Sequence, residues 1–216
     1  MNGEIFFNTI DGIRLEGNIR ITEPGKKSPC GIICHPHPQY GGDMDNNVVI
    51  SVEKALISMG FVSLRFNFRG AGGSEGYSTG GDKEHLDVQA ALDFITNHEK
   101  VDNKNIYIIG YSFGSMVGIP VAVEDNRVYG WIAVSPPTIH RDFGFAVKCK
   151  KNKLLIVGDN DFVCPLTDFE EFFLKLSQPK SKIIIKGSDH FHFGMEGEIE
   201  KGIKTFLKPM GKNYSD

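Results

Sequence analysis

Six short apolar runs alternate with stretches of helical periodicity, and this alternation restricts the fold more than any other feature of the chain. The runs are "CGIIC", "FVSLRFN", "NIYIIG", "VYGWIAVS", "KLLIVG" and "KIIIKG". Their apolar residues are consecutive, not alternate. A strand reads this way when both of its faces are covered and neither meets water. Between the runs lie segments with helical spacing. Residues 46–59 set Val48, Val49, Val52, Leu56 and Met59 along one face, and Gly60 is a stop signal. Residues 82–98 set Leu86, Ala90 and Phe94 four apart, with Asp82 as the expected cap. Further helices are expected over 112–123, 165–176 and 195–207, with Pro120 bending the first of them or ending it early. Strands alternating with helices over short connections predict an α/β fold: a mainly parallel sheet of about eight strands with helices on both faces. Ahead of these, "EIFFNTI" and "IRLEGNIRI" flank Asp11-Gly12, which predicts an antiparallel hairpin at one edge. One domain is expected over 1–208, with 209–216 a frayed tail.

Composition removes several classes of function. The 216 residues carry a net charge of −3 and no block of Lys or Arg, so the electrostatic footprint of a nucleic-acid binder is missing. No apolar run is long enough to span a bilayer. The first twenty residues lack the basic start and apolar core of a signal peptide. Cys30, Cys34, Cys149 and Cys164 form no C-x-x-C pair and read as free thiols in a reducing compartment. The expectation is a soluble cytoplasmic protein, monomer or homodimer, with no nucleic-acid or membrane partner.

The stretch "IYIIGYSFGSMVGIP" (residues 106–120) joins a strand to a helix through Gly110-Tyr111-Ser112-Phe113-Gly114. G-x-S-x-G in that setting is the pattern of a nucleophile elbow. A turn so sharp strains the serine backbone and leaves room only for small residues two positions to either side. It holds the hydroxyl out at the carboxyl edge of the sheet, where the next helix aims its first N–H groups. The bland alternative is a glycine-rich turn with an idle serine, which would need no partners downstream.

Partners are present, in the order the elbow requires. "GDNDFVCP" follows the strand "KLLIVG" and offers Asp159 and Asp161. "KGSDHFHFG" follows the last strand and offers His190 and His192. Each group lies on a loop at the same edge of a parallel sheet, where such folds hold their chemistry. Taken singly, each aspartate could be a turn former and each histidine a surface residue.

Together the motifs "HPHPQYGGDMDNNVV", "LRFNFRGAGGSEG", "GYSFGS", "GDNDFVCP" and "GSDHFHF" closely resemble the α/β-hydrolases, in particular the small lidless serine esterases near the dienelactone hydrolases. The resemblance covers nearly the whole chain. It implies Asp161, the second aspartate of G-D-x-D, as the acid and His190, directly after Ser-Asp, as the base. Cys164 and His192 depart from the family pattern, and His192 is a second candidate base. The loop after "CGIIC" is expected to supply one N–H of an oxyanion hole and Phe113 the other. Pro36 and Pro38 have no N–H, which leaves His37, Gln39 or Tyr40; position in the resemblance favours His37. Tyr40, Phe113, Phe162 and Phe191 are expected to line an acyl site.

The function expected is hydrolysis of a small carboxylic ester or thioester through an acyl-enzyme on Ser112, with no cofactor and no metal. Two other readings compete. His35-x-His37 and His190-x-His192, with Asp161, could hold zinc in a metal-dependent hydrolase. A binding protein on a retired hydrolase scaffold is the other, although no triad member is missing. A nucleotide site is not expected, because Glu75 breaks G-x-G-x-x-G in "RGAGGSEG". Residues 136–152 are too few for a capping domain and allow one short helix at most, around 143–147.

Overall fold

The computed structural model describes residues 2–22 and 25–211. Its strands are β1 (Gly3–Asn8), β2 (Arg14–Arg20), β3 (Ser28–Cys34), β4 (Val62–Phe66), β5 (Val101–Tyr111), β6 (Val128–Val134), β7 (Asn152–Gly158) and β8 (Ser181–Ile185). Its helices are α1 (Asn47–Ser58), α2 (Glu84–Thr96), α3 (Phe113–Glu124), α4 (Leu166–Lys175) and α5 (Glu196–Gly211). The eight strands form one sheet in the order β1-β2-β4-β3-β5-β6-β7-β8. The hairpin β1–β2 and the pair β2–β4 are antiparallel, and every later pairing is parallel.

The consecutive apolar runs have the cause expected of them. Neighbouring residues of each central strand enter different cores. Ile32, Ile108, Leu155 and Val157 pack on the side of α2, α3 and α4. Ile33, Ile109, Leu154 and Ile156 pack on the side of α1 and α5. Side chains alternate across a strand, so a run apolar at every position needs two covered faces. Each such side chain, when fully buried, contributes about 1.5–3 kcal/mol.

Strand order positions the site. From β3 the chain moves outward to β4, then crosses back to pair β5 on the other side of β3. The loops leaving β3 and β5 therefore diverge, and a crevice opens between the carboxyl ends of these two adjacent strands.

Three local expectations differ from the structure. Asp82 does not cap α2: Lys83 stands at its N-cap with no side-chain bond. The buried Glu84 holds this turn instead, accepting from the Thr79 N–H at 2.8 Å and the Gly81 N–H at 2.9 Å. Pro120 does not end α3, which continues to Glu124. Ile119, Val121 and Ala122 are buried in the core there, and their packing outweighs the one lost backbone bond. Finally, α5 runs to Gly211, past its expected end at 207, and residues 212–216 of the expected tail lie outside the described residues. No helix among the described residues is long and apolar enough to cross a membrane.

Candidate active site

Strand β5 ends at Tyr111 and α3 begins at Phe113, so Ser112 alone makes the turn. Its backbone is at φ 51° and ψ −116°, a strained region for a residue with a side chain. Its N–H is tied to the Val134 carbonyl of β6 at 2.9 Å. The two flanking glycines answer to close approaches of backbone. A Cβ on Gly110 would lie 2.4 Å from the Gly114 oxygen, and a Cβ on Gly114 would lie 2.1 Å from the Cys34 oxygen of β3. The helix start folds directly over the strand end and against the neighbouring strand, and only glycine leaves room for both. The Ser115 hydroxyl donates to the Gly110 carbonyl at 2.7 Å and locks the elbow from inside.

Asp161 comes from the turn after β7 and His190 from the turn after β8. Both are buried. The Asp161 carboxylate accepts from the Val163 N–H at 2.9 Å and the Cys164 N–H at 2.8 Å. Its two oxygens lie 2.9 and 3.0 Å from His190 Nδ1. On the other side of the ring, Nε2 lies 2.9 Å from Ser112 Oγ. A carboxylate can only accept, so Nδ1 carries the proton, and Nε2 of the neutral ring faces the serine as an acceptor. Burial drives the Asp161 carboxyl upward, but the bonds from His190, Ser135 and the Cys164 amide outweigh it and leave the pKa below the ordinary value.

The rival candidates do other work. Asp159 Oδ1 accepts from the Gly187 N–H at 2.7 Å and ties the loop after β7 to the loop after β8. The His192 ring is wholly buried between Ser135 Oγ at 2.8 Å and Ser188 Oγ at 2.7 Å. The histidines of the two H-x-H pairs do not share a centre: His35 is spoken for by the Pro36 carbonyl and the Phe68 amide, and His37 by the Gln39 amide. Among the described residues no cluster of three or more His, Cys, Asp or Glu is arranged to hold a metal.

The loop after β3 tightens into one 3-10 turn at Pro38–Tyr40. Its amides are nearly all committed. The Gln39 N–H donates to His37 Nδ1, the Tyr40 and Gly42 N–H groups to the His37 carbonyl, and the Gly41 N–H to the Pro38 carbonyl. The His37 N–H has no acceptor among the described residues. The His37 ring lies 4.5 Å from the Phe113 ring, so this loop and the start of α3 meet. A cleft of about 630 Å³ opens between them, lined by Ser112, His190, His37, Tyr40, Phe113, Phe162 and Phe191 among others.

Two contributors carried no sequence signal that was used. Tyr111 sends its hydroxyl to the His190 carbonyl at 2.8 Å and braces the histidine loop from beneath. Met116 lines the cleft. It stands four positions beyond Ser112, one helical turn on, and that spacing was available. Of residues 136–152, Pro137 and His140 line the edge of the cleft. Phe143, which caps the short turn at Gly144–Ala146, and Ala146 within it are buried in the core below, with the Phe143 ring tilted 5.4 Å from Phe172 of α4. Among the described residues no separate lid covers the cleft.

A family model described as "Alpha/beta hydrolase family" matches residues 85–210, which include all three of Ser112, Asp161 and His190. The chain belongs to the alpha/beta hydrolase family. A second model, for X-Pro dipeptidyl-peptidases of the S15 family, matches residues 11–143 and stops before Asp161 and His190. Over 98% of this hydrolase and 91% of the relative, the chain is 36% identical to an uncharacterised protein of Rickettsia prowazekii. An alpha-beta serine hydrolase homologue from Coxiella burnetii superposes with a TM-score of 0.87 at 33% identity, covering 96% of this chain and 98% of that one. A putative alpha/beta hydrolase from Agrobacterium tumefaciens does so with a TM-score of 0.89 at 32% identity, covering 98% and 97%. In this alpha/beta hydrolase the serine, the imidazole and the carboxylate are linked in one row, the arrangement of a serine hydrolase.

Proposed function

We propose that this hydrolase cleaves small carboxylic esters or thioesters through an acyl-enzyme on Ser112. The observation that carries the reading is the continuous row from Ser112 Oγ to His190 Nε2 at 2.9 Å and from His190 Nδ1 to Asp161 at 2.9 Å. His190 Nε2 takes the serine proton as Oγ attacks the acyl carbon, and returns it to the leaving oxygen or sulfur. Asp161 holds the tautomer and offsets the charge of the imidazolium. The N–H groups of His37 and Phe113 receive the oxyanion, helped by the N-terminus of α3. Water then takes the leaving group's place and releases the acid. No step needs a cofactor.

Substrate size is argued from the walls. Tyr40, Phe162 and Phe191 line the cleft but remain 87%, 58% and 47% exposed, so they form a rim and not a roof. Such a groove buries the first few methylenes of an acyl chain and then lets it run into water. The acyl groups favoured are short, about two to six carbons, each buried methylene contributing about 0.8 kcal/mol.

A panel of chromogenic acyl esters and acyl-thioesters, assayed with wild type and Ser112→Ala, tests the reading. A proline-containing dipeptidyl anilide belongs in the panel because residues 11–143 match the S15 peptidase model. Turnover of esters or thioesters that Ser112→Ala abolishes supports the proposal. Turnover of the anilide alone would move the substrate class to amides.

A further inference from the structure

His35 precedes the expected oxyanion loop and is absent from the proposed chemistry, yet it is completely buried with both ring nitrogens engaged. Nε2 lies 2.9 Å from the Phe68 backbone nitrogen. That nitrogen is a donor, so Nε2 must be the unprotonated acceptor. In a neutral imidazole the proton then belongs to Nδ1, which lies 2.6 Å from the Pro36 carbonyl oxygen. The ring thus accepts from the end of β4 and donates into the loop after β3. A charged ring would place two N–H donors face to face at Phe68, and burial in any case drives its pKa down to about 4.

The Pro36 carbonyl and the His37 N–H belong to one peptide unit. That peptide is trans, since the cis bond among the described residues is Gln178–Pro179. Across a planar trans peptide the C=O and N–H point in opposite directions. Fixing the carbonyl on His35 therefore fixes the direction of the His37 N–H, an amide with no acceptor among the described residues. No other hydrogen bond to the Pro36 carbonyl is found among the described residues, so without His35 this peptide could rotate.

We infer that His35 is a positioning residue for the oxyanion hole: its Nδ1–H, held in that tautomer by the Phe68 amide, clamps the Pro36–His37 peptide so that the His37 N–H is aimed into the cleft before substrate arrives. This rests on the serine-hydrolase reading above. An aimed donor stabilises the charge that develops in the transition state and does little for the neutral ester, so the effect belongs in kcat and not in KM.

Two substitutions separate the ring's two bonds. The Asn side-chain nitrogen is attached at the Cγ position, as Nδ1 is, so His35→Asn keeps the donor to Pro36 and loses the acceptor for Phe68. The Gln side-chain oxygen reaches as far as Nε2, so His35→Gln keeps the acceptor and loses the donor. His35→Gln should lose about 10–100-fold in kcat with KM within about threefold, while His35→Asn stays within about fivefold of wild type in both. A trifluoromethyl ketone, whose adduct carries an oxyanion, should lose affinity for the Gln variant by the same factor as kcat/KM. In ¹⁵N-labelled wild type, the His35 imidazole should show its proton on Nδ1 and none on Nε2 at neutral pH. Equal kcat losses in the Asn and Gln variants, or a proton found on Nε2, would overturn the inference while an active, Ser112-dependent wild type leaves the hydrolase reading intact. A wild type without Ser112-dependent turnover would overturn both.

Discussion

Ser112 Oγ and His190 Nε2 lie 2.9 Å apart, although 77 residues of chain separate them. The contact is made by topology, not by local sequence. Strands β5 and β8 end at the same edge of the sheet, and Asp161 from the end of β7 reaches the far side of the imidazole. Because the three groups act as a unit, Ser112→Ala, His190→Ala and Asp161→Asn should each lower ester hydrolysis by about 10³–10⁶-fold in proteins that remain folded. Asp159→Asn and His192→Asn should lose about tenfold or less, since their partners are loop groups. Rates measured across the five variants decide it, and a reversed order within either pair would reassign that role. Asparagine is the choice at 192 because His192 has φ 55°, which asparagine tolerates better than alanine.

The proposed oxyanion donor, the His37 N–H, can be removed with little else. His37 has φ −59°, the angle a proline ring already prefers. His37→Pro deletes the amide hydrogen and keeps that backbone angle, while His37→Ala keeps the hydrogen and deletes the ring. The expected outcome is a fall of about 10²–10³-fold in kcat for the proline variant. The alanine variant should lose much less, through the Gln39 cap and the Phe113 contact alone. Similar kcat values in the two variants would remove His37 from the role.

Packing at the elbow gives a graded series along α3. A Cβ on Gly114 would meet the Cys34 oxygen at 2.1 Å, whereas one on Gly118 would meet Cys34 Sγ and Ile108 Cγ2 at 3.2 Å. Gly114→Ala must push the helix start away from β3 and should cost about 1–3 kcal/mol with at least a hundredfold loss of rate. Gly118→Ala meets side-chain atoms that can give by a few tenths of an ångström, and should keep most of its activity. Urea midpoints and hydrolysis rates for the two variants test the series; equal behaviour would mean that the elbow tolerates displacement.

Much of this is legible in the sequence. The consecutive Ile32-Ile33, Ile108-Ile109 and Leu154-Leu155 pairs announced a sheet covered on both faces. The order Ser112, Asp161, His190 announced the row at its carboxyl edge. What escaped depended on contacts between distant segments. Asp82 had the chemistry of a cap, but the buried Glu84 took the loop amides instead. Pro120 had the chemistry of a helix breaker, but the core around Ile119 and Val121 holds α3 together. Asp159 and Asp161 both reach the loop after β8, one at the Gly187 amide and the other at the His190 ring; spacing alone does not separate them, and the resemblance to G-D-x-D does. Spacing does not single out His35 either, whose neighbours Pro36 and Phe68 become meaningful only when the end of β4 is beside the end of β3.

Stability should depend on pH through two buried imidazoles. His35 and His192 both fall to about 4, burial being the main cause in each. Below pH 6.5 the unfolded chain takes up a proton on each ring that the folded chain refuses until about pH 4. The unfolded state then binds more protons, so stability is complete above 6.5 and declines as pH falls through that window, by up to about 3 kcal/mol per ring. The urea midpoint should drop between pH 6.5 and 4, and His192→Asn should show roughly half the wild-type slope. A midpoint flat over that range would mean that one or both rings are charged in the folded protein.

The absence of a roof over Ser112 sets the last expectation. Pro137 and His140 border the cleft at its edge, and the chain beyond them turns inward, burying Phe143 and Ala146 beside α4. The cleft beside Ser112 is lined by Phe113, Met116 and Val163, with the exposed Tyr40, Phe162 and Phe191 at its rim. Early methylenes leave water and later ones do not, so kcat/KM should rise with chain length by up to about fourfold per buried methylene and then stop rising. Across p-nitrophenyl esters from acetate to palmitate the optimum should fall between two and six carbons. With nothing to open, the rate should also pass smoothly through the concentration at which long esters form micelles. An optimum at ten carbons or more would require a tunnel through the Met116 wall, and a jump in rate at the micelle threshold would require residues 137–142, which border the cleft at Pro137 and His140, to move over it.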